Sequence, residues 1–95
     1  MRLELSRRAQ TDLDEIRDSS GERFGVIRAI AYLDAIEDAF RLMLRFPEMG
    51  GTHRALTLGT RSLGCEQHRI YYEVAGDCVR IVRILHRAMD LDGRV

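Results

Sequence analysis

The chain contains no lysine: all 15 of its Lys-or-Arg positions are arginine. Schiff-base formation and lysine general bases are therefore excluded. Cysteine is scarce too. Cys65 and Cys78 stand apart, without the paired spacing of a metal site, and read as small buried residues within strands. No apolar run approaches the roughly 20 residues needed to span a bilayer. The N-terminal MRLELSRRAQ lacks the apolar stretch of a signal peptide, so the expected location is cytoplasmic, away from membranes. Formal net charge is zero, which argues against nucleic-acid binding by the molecule as a whole. Glu48 to Arg54, EMGGTHR, is a Gly-rich loop, but it lacks the Lys-Ser/Thr ending of a phosphate-binding loop. Nothing calls for a cofactor or a metal. With no internal repeat, linker or low-complexity segment, residues 1–95 read as a single domain.

What is present is an ordinary soluble balance, 45% apolar and 32% charged, enough to build one core. Residues 1–48 carry 8 Arg against 10 acids, and residues 49–95 carry 7 Arg against 5 acids with all three His. Positive potential therefore gathers on the second half.

The most informative stretch is His68 to Asp90, HRIYYEVAGDCVRIVRILHRAMD. Ile70, Tyr72 and Val74 alternate with polar neighbours, as on a half-buried strand. Gly76-Asp77 supplies a tight turn. From Cys78 to His86, β-branched residues fall on both parities, the signature of a strand interior to its sheet. The two arms form an antiparallel hairpin, with Arg80, Arg83, His86 and Arg87 near one end. Tyr71 and Tyr72 point in opposite directions, so one is expected inside and the other exposed.

Ahead of the hairpin, Arg2 to Leu5 alternates as a first strand, and Ser6 is a good helix N-cap. Ala9, Leu13 and Ile16 share one helical face, whereas Asp12, Asp14, Glu15 and Asp18 face elsewhere as a solvated run. Ser19-Ser20-Gly21 is the expected helix stop. A second helix runs from about Glu22 to Phe46, with Ile30, Leu33, Ile36, Phe40, Met43 and Leu44 as its apolar stripe. Pro47 ends it. Leu56–Leu58 and Arg61–Glu66 read as further strands. The expected class is α+β in the order β-α-α-β-β-β, an antiparallel helix hairpin on one face of a small, mostly antiparallel sheet.

Six stretches taken together resemble the ParE toxins of the RelE/ParE superfamily. They are LSRRAQTDLDEI (Leu5–Ile16), FG (Phe24–Gly25), FPEMG (Phe46–Gly50), RS (Arg61–Ser62), HRIYYEV (His68–Val74) and VRIVRILHRAMD (Val79–Asp90). The resemblance implies the toxin of a type II toxin–antitoxin system, neutralised by a ParD-like antitoxin and inhibiting DNA gyrase. Operon DNA is then met only indirectly, through the antitoxin. The target-binding candidates are Arg61, Arg83, His86, Arg87, Met89 and Asp90.

Relatives of the RelE branch cleave mRNA on the ribosome. Such an enzyme needs groups to activate a 2′-hydroxyl, protonate the leaving oxygen and stabilise the phosphorane. Here these would be His86, Arg61 and Arg83, meeting on the exposed side of the sheet. The tail HRAMD has no late Tyr, and Lys is absent, so the expectation is a non-enzymatic toxin. A remnant that only binds its antitoxin is the third reading. Outside such a role Arg83 reads as a solvated strand residue or one ion-paired with Asp90 or Glu66. Exposed positions of the first helix, the groove between the helices and a sheet edge are where an antitoxin tail would fold.

Overall fold

Ser6 divides the first two elements. Its backbone is extended, φ −63° and ψ 163°, and its hydroxyl accepts the Ala9 N–H at 3.0 Å, satisfying one free donor of the helix that follows. In the computed structural model, which describes residues 1–52 and 59–87, the order is β1 (Arg2–Leu5), α1 (Arg7–Phe24), α2 (Val26–Arg45), β2 (Gly51–Thr52), β3 (Thr60–Cys65), β4 (His68–Ala75) and β5 (Cys78–His86). The sheet runs β1-β5-β4-β3-β2. Among the described residues only the β1–β5 pairing is parallel. β5 is thus interior, as its two-sided apolar pattern required. The fold class is the expected one, with the two-residue β2 added inside the Gly-rich loop. The strand expected at Leu56–Leu58 lies outside the described residues.

The helix break falls later than the Ser-Ser-Gly signal suggested. α1 continues through Gly21 to Phe24, and Gly25, at φ 85°, ends it with its N–H on the Gly21 carbonyl at 3.2 Å. A glycine inside a helix costs only about 1 kcal/mol relative to alanine. A residue that leaves the helix at positive φ is the stronger stop, because a side chain opposes that conformation. A single residue therefore links the helices. At the far end Phe46 adopts φ −132° and ψ 74°, the non-helical geometry that Pro47 favours in its predecessor.

The buried stripe of α2 is Ala29, Ile36, Ala39, Phe40 and Met43, with Leu33 and Leu44 partly covered. Ile30 does not belong to it and is 55% exposed. Placing the small Ala29 and Ala39 against neighbouring elements turns Ile30 outward. Ile36, Ala39, Phe40 and Met43 join Ala9 and Ile16 of α1 and Ile70, Tyr72, Val79, Ile81 and Ile84 of the sheet in one core. Each fully buried Ile or Val there contributes about 1.5–3 kcal/mol.

Both tyrosines of β4 are fully buried, contrary to the alternation argument. β4 is the middle strand, and the sheet is covered at Tyr71 as well as at Tyr72. The Tyr72 hydroxyl donates to the Pro47 carbonyl at 3.0 Å and accepts the Gly50 N–H at 2.8 Å. It therefore pins the chain between α2 and β2. A Cβ at Gly50 would stand 2.6 Å from that hydroxyl and 2.8 Å from the Ser62 carbonyl, closer than packed atoms tolerate. Gly50→Ala is expected to lower stability by about 1–3 kcal/mol, read as a reduced urea midpoint. An unchanged midpoint would show that the loop is not held there.

Candidate functional site

The hairpin carries an irregularity that builds the site. Tyr72 opposes Ile81, but Tyr71 opposes Arg83, so Val82 is an extra residue on β5. Such a bulge bends its strand and re-aims the side chains beyond it. It brings Ile84 onto the face already occupied by Val79 and Ile81, so all three enter the core. β1 stops opposite Ile81, so among the described residues β5 has no strand partner on that side from Val82 onward. Helix α1 takes over. The Ser6 hydroxyl donates to the Val82 carbonyl at 2.7 Å, and the Ile84 N–H donates to Asp12 Oδ2 at 3.0 Å.

The same carboxylate receives both arms of Arg83, Nε at 2.8 Å and Nη2 at 3.1 Å. Asp12 is 8% exposed and belongs to the buried face of α1 with Ala9 and Ile16, not to the solvated run. The partner of Arg83 is accordingly Asp12 and not Glu66; Asp90 lies outside the described residues. The hydrogen bond to Asp12 holds the Arg83 pKa above its ordinary value, against the opposing effect of burial.

Beside this clasp a cleft of about 430 Å³ opens between the C-terminal half of α1 and the ends of β4 and β5. Tyr32, His68 and His86 line it together with Arg83. Tyr32 is hydrogen-bonded through its hydroxyl to His68 Nδ1 and receives the Gln67 N–H at 2.9 Å. The His68 and His86 rings stand edge to face, 5.4 Å between centroids. The turn that carries Gln67 holds Glu66 at φ 55°, a left-handed conformation uncommon for a residue with a side chain. Burial, reinforced by neighbouring His86, lowers the His68 pKa below the usual imidazole value, although Asp12 acts the other way. Burial also raises the Tyr32 pKa.

The structure does not gather the three residues that would serve an RNase. Arg83 and His86 line the cleft, but Arg61 does not. Arg61 lies opposite Tyr72, which lies opposite Ile81, so its backbone is two strands, roughly 10 Å, from β5. Its guanidinium donates to the Glu48 and Gly50 carbonyls at 3.1 and 2.8 Å, bracing the loop before β2. Arg87 is exposed and extends the ladder through its N–H to the Gln67 carbonyl, 2.9 Å. Met89 and Asp90 lie outside the described residues. Tyr32 and His68 went unnoticed in the sequence, since neither has local spacing to His86.

Comparison with known proteins supplies the family. The family described as the ParE toxin of the type II toxin–antitoxin system, parDE, matches residues 3–91. The chain belongs to the ParE toxin family. The toxin ParE1 of Caulobacter vibrioides is 36% identical over 86 residues, 90% of this chain and 88% of that protein. The toxin ParE1 of Mycobacterium tuberculosis is 35% identical over 89 residues, 93% of this chain and 91% of that protein. A solved structure, the chromosomal ParDE toxin–antitoxin system from P. aeruginosa, superposes with a TM-score of 0.77 at 25% identity, covering 90% of this chain and 95% of its counterpart.

The histidine environment gives the site a pH dependence. Because His68 binds its proton less readily when folded, the unfolded chain takes up the proton first. Stability is therefore full above about pH 6.5 and falls as pH drops through the folded pKa. Melting temperatures between pH 7.5 and pH 5, taken with a chelator present, should show this fall, and His68→Gln should flatten it. An equal fall in the variant would place the titration elsewhere.

Proposed function

We propose that this ParE-family toxin acts by binding and not by bond breaking. On this reading it is cytoplasmic, inhibits DNA gyrase and is held inactive by a ParD-like antitoxin. The observation that carries the proposal is the engagement of both arginines an RNase would need. Arg83 is spent on Asp12 and Arg61 on two backbone carbonyls, on strands that keep them apart. A transition-state oxyanion needs cations aimed at it and free to meet it.

Antitoxin capture has a suitable surface. At the tip of the helix hairpin Phe24, Val26, Ile27 and Ile30 are 54%, 70%, 85% and 55% exposed, a contiguous apolar stretch of the kind that marks a docking site. Arg23 and Arg28 flank it, suiting a tail with apolar anchors and acidic neighbours. Among the described residues β1 also leaves one side unpaired, since β5 is its one strand neighbour there. Burial of an Ile side chain is worth about 1.5–3 kcal/mol, so Ile27→Asp should weaken antitoxin binding tenfold or more without unfolding the toxin. Expression without antitoxin should stop growth with loss of supercoiling, and purified toxin should inhibit gyrase. Transcript cuts at ribosomal A sites with gyrase unaffected would reject this in favour of an mRNA interferase. Harmless expression would leave only the antitoxin-binding remnant.

A further inference from the structure

The His68–His86 pair has no part in the clasp or the apolar tip, yet its geometry is specific. The ladder bond from the Arg87 N–H to the Gln67 carbonyl makes residues 67 and 87 a hydrogen-bonded pair. His68 and His86, aligned one step inward, are then a non-hydrogen-bonded pair, in which Cα atoms lie about 4.5 Å apart and side chains are closest. Two imidazoles on one tetrahedral ion, with metal–nitrogen bonds of about 2.0 Å, have ring centres roughly 5.1 Å apart. The observed separation is 5.4 Å, with the ring planes at 77°. The ring separation is therefore close to that of a bidentate clamp.

Its surroundings support the same use. The Tyr32 hydroxyl on Nδ1 fixes the His68 ring and leaves Nε2 as its other nitrogen, as outer hydrogen bonds do for metal-bound imidazoles. Partial burial favours neutral His68, the form that coordinates. Around the pair, α1 presents Asp12, engaged by Arg83, with Glu15 and Arg23, and α2 presents Tyr32.

We propose that His68 and His86 clamp a divalent ion of the zinc, nickel and copper class at the mouth of this cleft. Among the described residues no group of three His, Cys, Asp or Glu is arranged to hold an ion. The remaining positions therefore belong to water or to a donor from a docked partner. Such a two-imidazole site follows ligand preference, with copper bound more tightly than nickel or zinc. The inference is independent of the gyrase and antitoxin readings.

Calorimetric titration of the full chain with Zn²⁺, Ni²⁺ and Cu²⁺ at pH 7.5 tests it. The expected result is one saturable ion per chain, bound at least tenfold more weakly by His68→Gln and by His86→Gln. His53→Gln should bind as the unmutated chain does, and affinity should fall at pH 5.5 as protons compete. Should a variant fail to fold, substoichiometric Ni²⁺ on the unmutated chain should broaden the ring resonances of His68 and His86 before those of His53. Absence of saturable binding, undiminished binding by both folded variants, or earlier broadening at His53 would overturn the proposal.

Discussion

One carboxylate joins the two halves of this protein. Asp12 stands on the helix formed early in the chain and accepts hydrogen bonds from the Arg83 side chain and the Ile84 backbone, more than seventy residues later. The bulge at Val82 makes that contact necessary. It gives β5 an extra residue where β1 has run out, and the freed carbonyl and N–H need partners in a partly buried place. Ser6 and Asp12 supply them. Removing one member of such a set leaves the others buried and unsatisfied, which costs several kcal/mol, whereas replacing the pair with apolar groups costs far less. The clasp therefore acts mainly on register: it holds α1 against a bent strand in one position.

That position decides what surrounds the cleft. With α1 held over β5, its last turns and Tyr32 of α2 enclose the end of the hairpin where His68 and His86 meet. The same placement leaves Phe24, Val26, Ile27 and Ile30 uncovered at the helix tip. Core, cleft and tip are consequences of one docking geometry. On the function proposed above, this arrangement serves the capture of a large partner, since Arg61 and Arg83 brace the fold instead of converging on a reacting bond.

Much of the fold was legible because local signals agreed. Ser6 is an N-cap by chemistry, Pro47 stops a helix by sterics, and the hairpin from His68 to His86 declares itself by pattern and turn. The helix break was misplaced because Ser-Ser-Gly is a weak stop within a helix that gains stability from packing, while Gly25, and not Gly21, takes positive φ. Asp12 escaped notice because a charge at a buried helical position is intelligible only once its partner, distant in sequence, is known. The histidine pair was hidden by the bulge. Pairing Ala75 with Cys78 and counting back brings His68 opposite Leu85; the extra residue on β5 makes the partner His86. Backbone irregularity of this kind leaves little trace in composition or periodicity.

The claim that Asp12 locks the bent strand is tested most directly by amide hydrogen exchange at Ile84. If the clasp holds β5 against α1, the Ile84 N–H exchanges as slowly as the central ladder amides of β4, and Asp12→Ala speeds that amide selectively while residues 70–72 keep their protection. Rapid exchange at Ile84 in the unmutated protein, or unchanged protection there in the variant, would contradict it.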